Sequence, residues 1–153
     1  MTRLIAACIQ MRSGTEPAAN VAAASALIRQ AAGQGATFIA TPEMTNLLDI
    51  RPGMARAKVR REAEDESLPA LRALAAELGV TLLVGSLAIA LEDDERFANR
   101  SFLIGPDGVL IARYDKITCS MWKSATARLT ANPAPIVRVR RLFWQWRPSA
   151  SLA

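Results

Sequence analysis

The sequence predicts an α/β fold, a sheet covered by helices. Three observations carry this prediction. Short apolar runs of strand length alternate with two helical stripes, giving the order β-α-β-α-β. A Pro-Asp-Gly turn then joins two more strand-like runs into a hairpin. The composition, 51% hydrophobic and 22% charged over 153 residues, is that of one globular domain and excludes a wholly disordered chain.

Each element has a local cause. Leu4 to Met11 is a continuous apolar run containing Cys8, the pattern of a strand buried on both faces, with Cys8 as a small core residue. Pro17 is placed to open a helix, Val21 to Ala32 is rich in alanine with Leu27 and Ile28, and Gly33 and Gly35 end it. Thr37 to Ala40 reads as a second strand stopped by Pro42. Asp49 to Glu66 is mostly charged and reads as a surface loop with some helix. Leucine recurs at 68, 71, 74 and 78, a 3.6-residue stripe closed by Gly79. Val80 to Ala90, Asn99 to Ile104 and Val109 to Tyr114 are the remaining strands, the last two joined by Pro106-Asp107-Gly108.

The charge of +5 is unevenly placed. Residues 118–153 hold six of the 19 Lys and Arg, none of the 14 Asp and Glu, and all three tryptophans. The basic, aromatic stretch Arg138 to Trp144 imitates a nucleic-acid or membrane patch. No apolar run is long enough to span a bilayer, and the N-terminus lacks the pattern of a signal peptide. Two cysteines cannot build a disulfide framework, so a reducing cytoplasmic setting is expected. The absence of histidine removes Ser-His-Asp and Cys-His catalysis and most zinc sites; no metal or cofactor is expected.

Two residues stand where open α/β sheets place their chemistry, at the carboxyl ends of strands. Glu43 follows the second strand in Thr41-Pro42-Glu43-Met44, where a carboxylate can serve as general base or simply start a helix. Lys116 follows the last strand in Tyr114-Asp115-Lys116, where it can hold an oxyanion or be an ordinary solvated lysine. Gly33-Gln34-Gly35 ends a helix instead of opening one, so it is no dinucleotide loop. Glu92 to Glu95 reads as a solvated loop tip, and nothing near Cys119 in sequence orients it as a nucleophile.

Six pieces, in order, resemble the N-terminal part of the carbon–nitrogen hydrolase family, also called the nitrilase superfamily. They are Ile5 to Met11, Ala32 to Ala36, Pro42-Glu43-Met44, Val84-Gly85-Ser86, Asn99 to Gly108 and Ala112 to Ile117. The resemblance implies a fold that is the N-terminal half of an α-β-β-α sandwich. It implies a Glu–Lys–Cys triad acting on small amides, nitriles or carbamoyl groups. Glu43 matches the general base, and Lys116 matches the residue that stabilises the tetrahedral intermediate. The family nucleophile, in a Cys-Tyr-Asp-like segment, has no counterpart, because Cys119 follows Lys116 too closely. The implied parent is a homo-oligomeric amidase, an ω-amidase or a deaminated glutathione amidase, with no nucleic-acid or membrane partner. One sheet face is expected to lose the cover that the family's second sheet supplies.

The family pattern stops at Ile117, and degenerate codons suggest why. Met121 and Trp122 have single codons, so one base placed before the Thr118 codon forces Val-Glu at the end of the regrouped Thr118 to Lys123 segment and permits His-Met-Phe-Asp before it. The same frame permits Thr-Tyr-Arg-Glu-Ser from Arg128 to Pro133. Both strings follow the lysine in the family. The expected organisation is therefore a partial hydrolase domain at 3–117 and an out-of-frame basic tail at 118–153, broken by prolines 133, 135 and 148. The expected product is a truncated hydrolase, inactive as it stands. The alternatives are a basic-tailed binding module, favoured by steep salt dependence, or a half-domain that pairs with intact family subunits.

Overall fold

A computed structural model of the chain describes residues 3–92, 96–117 and 136–143. The elements are β1 (Arg3–Gln10), α1 (Pro17–Gly33), β2 (Phe38–Ala40), α2 (Met54–Lys58), β3 (Arg60–Arg61), α3 (Ser67–Leu78), β4 (Thr81–Ala90), β5 (Phe97–Ile104), β6 (Leu110–Asp115) and β7 (Ile136–Phe143). The described strands form one sheet in the order β6-β5-β4-β2-β1-β7, with β3 beside the last residues of β4. β1, β2 and β4 run parallel, so the chain must cross over between them, and α1 and α3 supply the crossovers. β5 and β6 add an antiparallel hairpin, whose turn brings Gly108 to φ +76°, a conformation glycine adopts without strain.

Local signals account for the helix ends. Pro17 occupies the first turn of α1, where its missing N–H is not needed. The chain leaves α1 through Gly35 at φ +86°, with the amide of Ala36 donating back to the Ala31 carbonyl at 3.1 Å. Asp65 caps α3: its Oδ1 accepts the amides of Ser67 and Leu68 at 2.9 and 3.0 Å. Leu68, Leu71 and Leu74 point from α3 into the core, as their spacing predicts.

That core lies on one face of the sheet. Ala7 and Ile9 of β1, Ile39 of β2, Leu82 and Val84 of β4, and Phe102 and Ile104 of β5 are buried beneath α1 and α3. The opposite face carries the alternate residues: Cys8 pairs with Ala40, Ala40 with Leu83, and Leu83 with Leu103. Ala40, Leu83 and Leu103 are half-buried and Cys8 is exposed. This corrects the expectation that Cys8 is a core residue in a strand buried on both faces. The cause is the two-residue period of a strand, which turns Cys8 away from the helices that bury Ala7 and Ile9. The helix-side face buries most of its large apolar side chains, with Ile5 and Leu110 half-buried, whereas Cys8, Ala40, Leu83 and Leu103 on the other face have partial cover or none.

β7 was not anticipated, because its residues read as a basic patch. It pairs antiparallel with β1 along eight positions, from Arg3 opposite Phe143 to Gln10 opposite Ile136. The run Ile136-Val137-Arg138-Val139 is rich in β-branched residues, which favour an extended backbone, and it begins directly after Pro135. The other tail residues, Cys119 included, lie outside the described residues.

Candidate active site

The chain turns sharply after β2, and Glu43 sits in the turn. Met44, the next residue, has φ +55°, in the left-handed region that non-glycine residues rarely adopt. Such a conformation persists only where the surroundings over-determine it, and here Gly85-Ser86 does so. The Met44 amide donates to Ser86 Oγ at 2.8 Å, and the Thr45 amide donates to the Ser86 carbonyl at 2.8 Å. Thr45 Oγ1 donates to the Pro42 carbonyl at 2.7 Å and lies 2.8 Å from Thr41 Oγ1. Gly85 lets the two backbones meet: a Cβ on it would stand 2.4 Å from the Thr41 carbonyl oxygen. Thr45 and Ser86 are fully buried, so each of these bonds replaces water that cannot enter.

A second set of contacts brings Lys116 to this turn. Lys116 follows β6, and its amide donates to the Asn99 carbonyl on β5 at 3.0 Å. Its Nζ reaches Glu43 Oε1 at 2.9 Å, across 73 residues of sequence. Asn99 Nδ2 donates to the same oxygen at 2.5 Å. The structure thus brings the two predicted site residues together. The hydrogen bond from Lys116, joined by that from Asn99, holds the Glu43 carboxyl below its ordinary value, against the opposing effect of partial burial. Glu43 is the anion of an ion pair at neutral pH.

Asp115, next to Lys116, is gripped by Arg100 through two bonds of 2.5 and 2.7 Å, and Arg100 also donates to Glu62 at 2.6 Å. This fork ties the end of β6 to β5 one residue before Lys116. Glu43, Asn99 and Lys116 border a cavity of about 730 Å³, which Met44, Arg96 and Phe97 also line. Among the described residues no group of His, Cys, Asp and Glu is arranged to hold a metal ion, and no helix is long and apolar enough to cross a membrane.

Acid should weaken the ion pairs of this region. Hydrogen bonding from Arg51 takes the Asp49 carboxyl down to about 2, and Arg100 likewise lowers that of Asp115. A carboxylate whose folded pKa lies below its unfolded value, near 3.9, stabilises the fold above that value and loses the contribution as pH falls through the folded pKa. The urea midpoint is expected to hold from about pH 7 to 5 and to drop below about 4. Asp49→Asn and Asp115→Asn should each flatten that drop; an unchanged pH profile in both would contradict the assignment.

Sequence reasoning singled out Glu43 and Lys116 but gave no role to Asn99, Gly85 or Ser86. All three lie inside the matched motif pieces, and that is the one signal that marked them. Cys8 lies opposite Ala40 on the strand beside β2, but it is not among the residues that line this cavity.

With this geometry in place, comparison with known proteins is specific. The carbon-nitrogen hydrolase family profile matches residues 5–142. The chain therefore belongs to the carbon-nitrogen hydrolase family. It is 34% identical over 119 residues to omega-amidase NIT2 of Homo sapiens, covering 76% of this chain and 41% of that protein. The NitFhit protein of C. elegans shares the fold with a TM-score of 0.67 at 23% identity, over 76% of this chain and 28% of that one. A mutant of the amidase from Nesterenkonia sp. AN1 superposes with a TM-score of 0.65 at 25% identity, over 75% of this chain and 44% of its own. It has been solved with acrylamide added at its active site cysteine. The chain thus spans about two-fifths of the length of the curated relatives it matches. Its single sheet with helices is the N-terminal part of the family fold.

Proposed function

We propose that the chain carries the base and the cation of a Glu–Lys–Cys site for small amides, and not its nucleophile. Glu43 is the general base and Lys116 stabilises the tetrahedral oxyanion. The observation that carries this reading is the 2.9 Å contact between Lys116 Nζ and Glu43 Oε1 at the edge of a cavity of substrate size. The likeness to an omega-amidase favours an ω-amide of a dicarboxylic acid as the parent's substrate. A homo-oligomeric, cytoplasmic parent completes the reading.

Covalent amide hydrolysis needs a thiol whose proton a base takes as the sulfur attacks the carbonyl carbon. Cys8 is mid-strand and does not line the cavity, and Cys119 follows Lys116 by three residues. Residues 118–153 are read as out-of-frame translation of the family gene, on the strength of their acid-free composition and the two latent family strings. The family match continues to residue 142, so the boundary near Ile117 rests on composition and codons alone.

The test is ammonia release from the half-amide of succinic acid by the purified 153-residue chain. No release at an enzymatic rate is expected. A base and an oxyanion contact without a nucleophile leave an acceleration on the order of 10³ over water, as disabled triads do. Turnover that disappears in Cys119→Ala would overturn the reading by making Cys119 the nucleophile. The nucleotide sequence across the Ile117 codon tests the frame directly.

A further inference from the structure

We propose that Asn99 is the positioning residue of this site, one side chain and one carbonyl that set both Glu43 and Lys116. The inference rests on the reading of the pair just given. Asn99 stands on β5, the strand between β4, which moulds the Glu43 turn through Gly85 and Ser86, and β6, which ends at Lys116. Its two polar ends do different work. The backbone carbonyl accepts the Lys116 amide at 3.0 Å and so fixes where the lysine side chain departs from the sheet. The side-chain amide donates to Glu43 Oε1 at 2.5 Å, on the same oxygen that Lys116 Nζ meets at 2.9 Å.

Two donors on one carboxylate oxygen have a chemical consequence. Oε1 is committed to Asn99 and Lys116, which leaves Oε2 as the oxygen that neither occupies and that is open to a proton. A lysine alone does not achieve this. Its ammonium sits on a flexible stem with rotatable donors and can shift from one oxygen to the other. The planar amide of Asn99, held on a strand paired on both sides, selects the oxygen. A base with one oxygen tied and one open takes a thiol proton in a single geometry, the kind of preorganisation that rate enhancement by positioning requires.

The other charged groups lining the same cavity are Asp49, Arg51, Arg56, Arg96 and Asp115. None of them is among the groups that act on the Glu43 carboxyl, which are Lys116 and Asn99, so the effect of Asn99 is separable from theirs. The backbone carbonyl also survives substitution, so the Lys116 amide contact is kept while the side-chain contact is lost.

The experiment is a carboxyl ¹³C titration of the full 153-residue chain, following Glu43 with Glu77, the partner of Arg29, as internal reference. In Asn99→Ala the Glu43 midpoint should move up while that of Glu77 stays. In the isosteric Asn99→Asp it should move up further, because a second negative charge then faces Glu43. Asn99→Asp also serves if the alanine variant fails to fold. A residue with a merely structural role would lower the urea midpoint and leave the Glu43 midpoint where it was. An unmoved Glu43 midpoint in either folded variant overturns the proposal. The amidase reading is tested separately by turnover, which this titration does not involve, so the two can fail independently.

Discussion

Replacing Gly85 by alanine is expected to destabilise the chain by about 3 kcal/mol, the upper part of the usual range for forcing atoms into packed space. The new Cβ would stand 2.4 Å from the Thr41 carbonyl oxygen and 2.6 Å from the Pro42 carbonyl carbon and oxygen. Those are backbone atoms, and they cannot step aside as the tip of a side chain can. Relief requires β4 to move away from the β2 turn. That movement breaks the Ser86 contacts that hold Met44 at φ +55° and releases Glu43 from its place. Against a net domain stability of about 5–15 kcal/mol the loss is large. Gly33→Ala is the control, since nothing lies within 4 Å of a Cβ there and Gly33 ends a helix in which alanine is favoured. A urea titration should show the Gly85→Ala midpoint falling and the Gly33→Ala midpoint holding or rising. Equal midpoints for Gly85→Ala and the parent would mean that the close approach is not what sets the turn.

Adding one base between the Ile117 and Thr118 codons, in DNA that continues downstream, is expected to yield a thiol-dependent amidase. Loss of a nucleophile costs a hydrolase on the order of 10⁶ in turnover, so its return should raise ammonia release at least about 10³-fold over the 153-residue chain. On the proposed reading, the Glu43–Lys116 pair held by β2, β5 and β6 needs no repair. Iodoacetamide should abolish the regained activity, because the thiolate is the group that attacks. An early stop codon in the shifted frame, or a shifted frame without a Cys-Tyr-Asp-like segment, would sink the frame-shift account.

The sequence by itself determined β1, β2, β4, β5 and β6 with the helices α1 and α3, and it singled out Glu43 and Lys116; the two-residue β3 lay in what read as a loop. Pro17, Gly35, the leucine stripe of α3 and Pro106-Asp107-Gly108 act on their own neighbours, within a turn or two of chain, and local composition reports them faithfully. Glu43 and Lys116 were legible because each follows a strand inside a motif piece. The tertiary structure decided the rest. Whether Cys8 is covered depends on which sheet face the helices take, and an apolar run with small residues is compatible with either. That Ile136–Phe143 lies beside β1 depends on a free sheet edge, which composition does not display. The shared hold of Asn99 and Lys116 on Glu43 Oε1 joins positions 56 and 73 residues away from the glutamate. Such contacts follow from the register of β5 against β4 and β6, a relation between distant strands that no local period in the chain encodes.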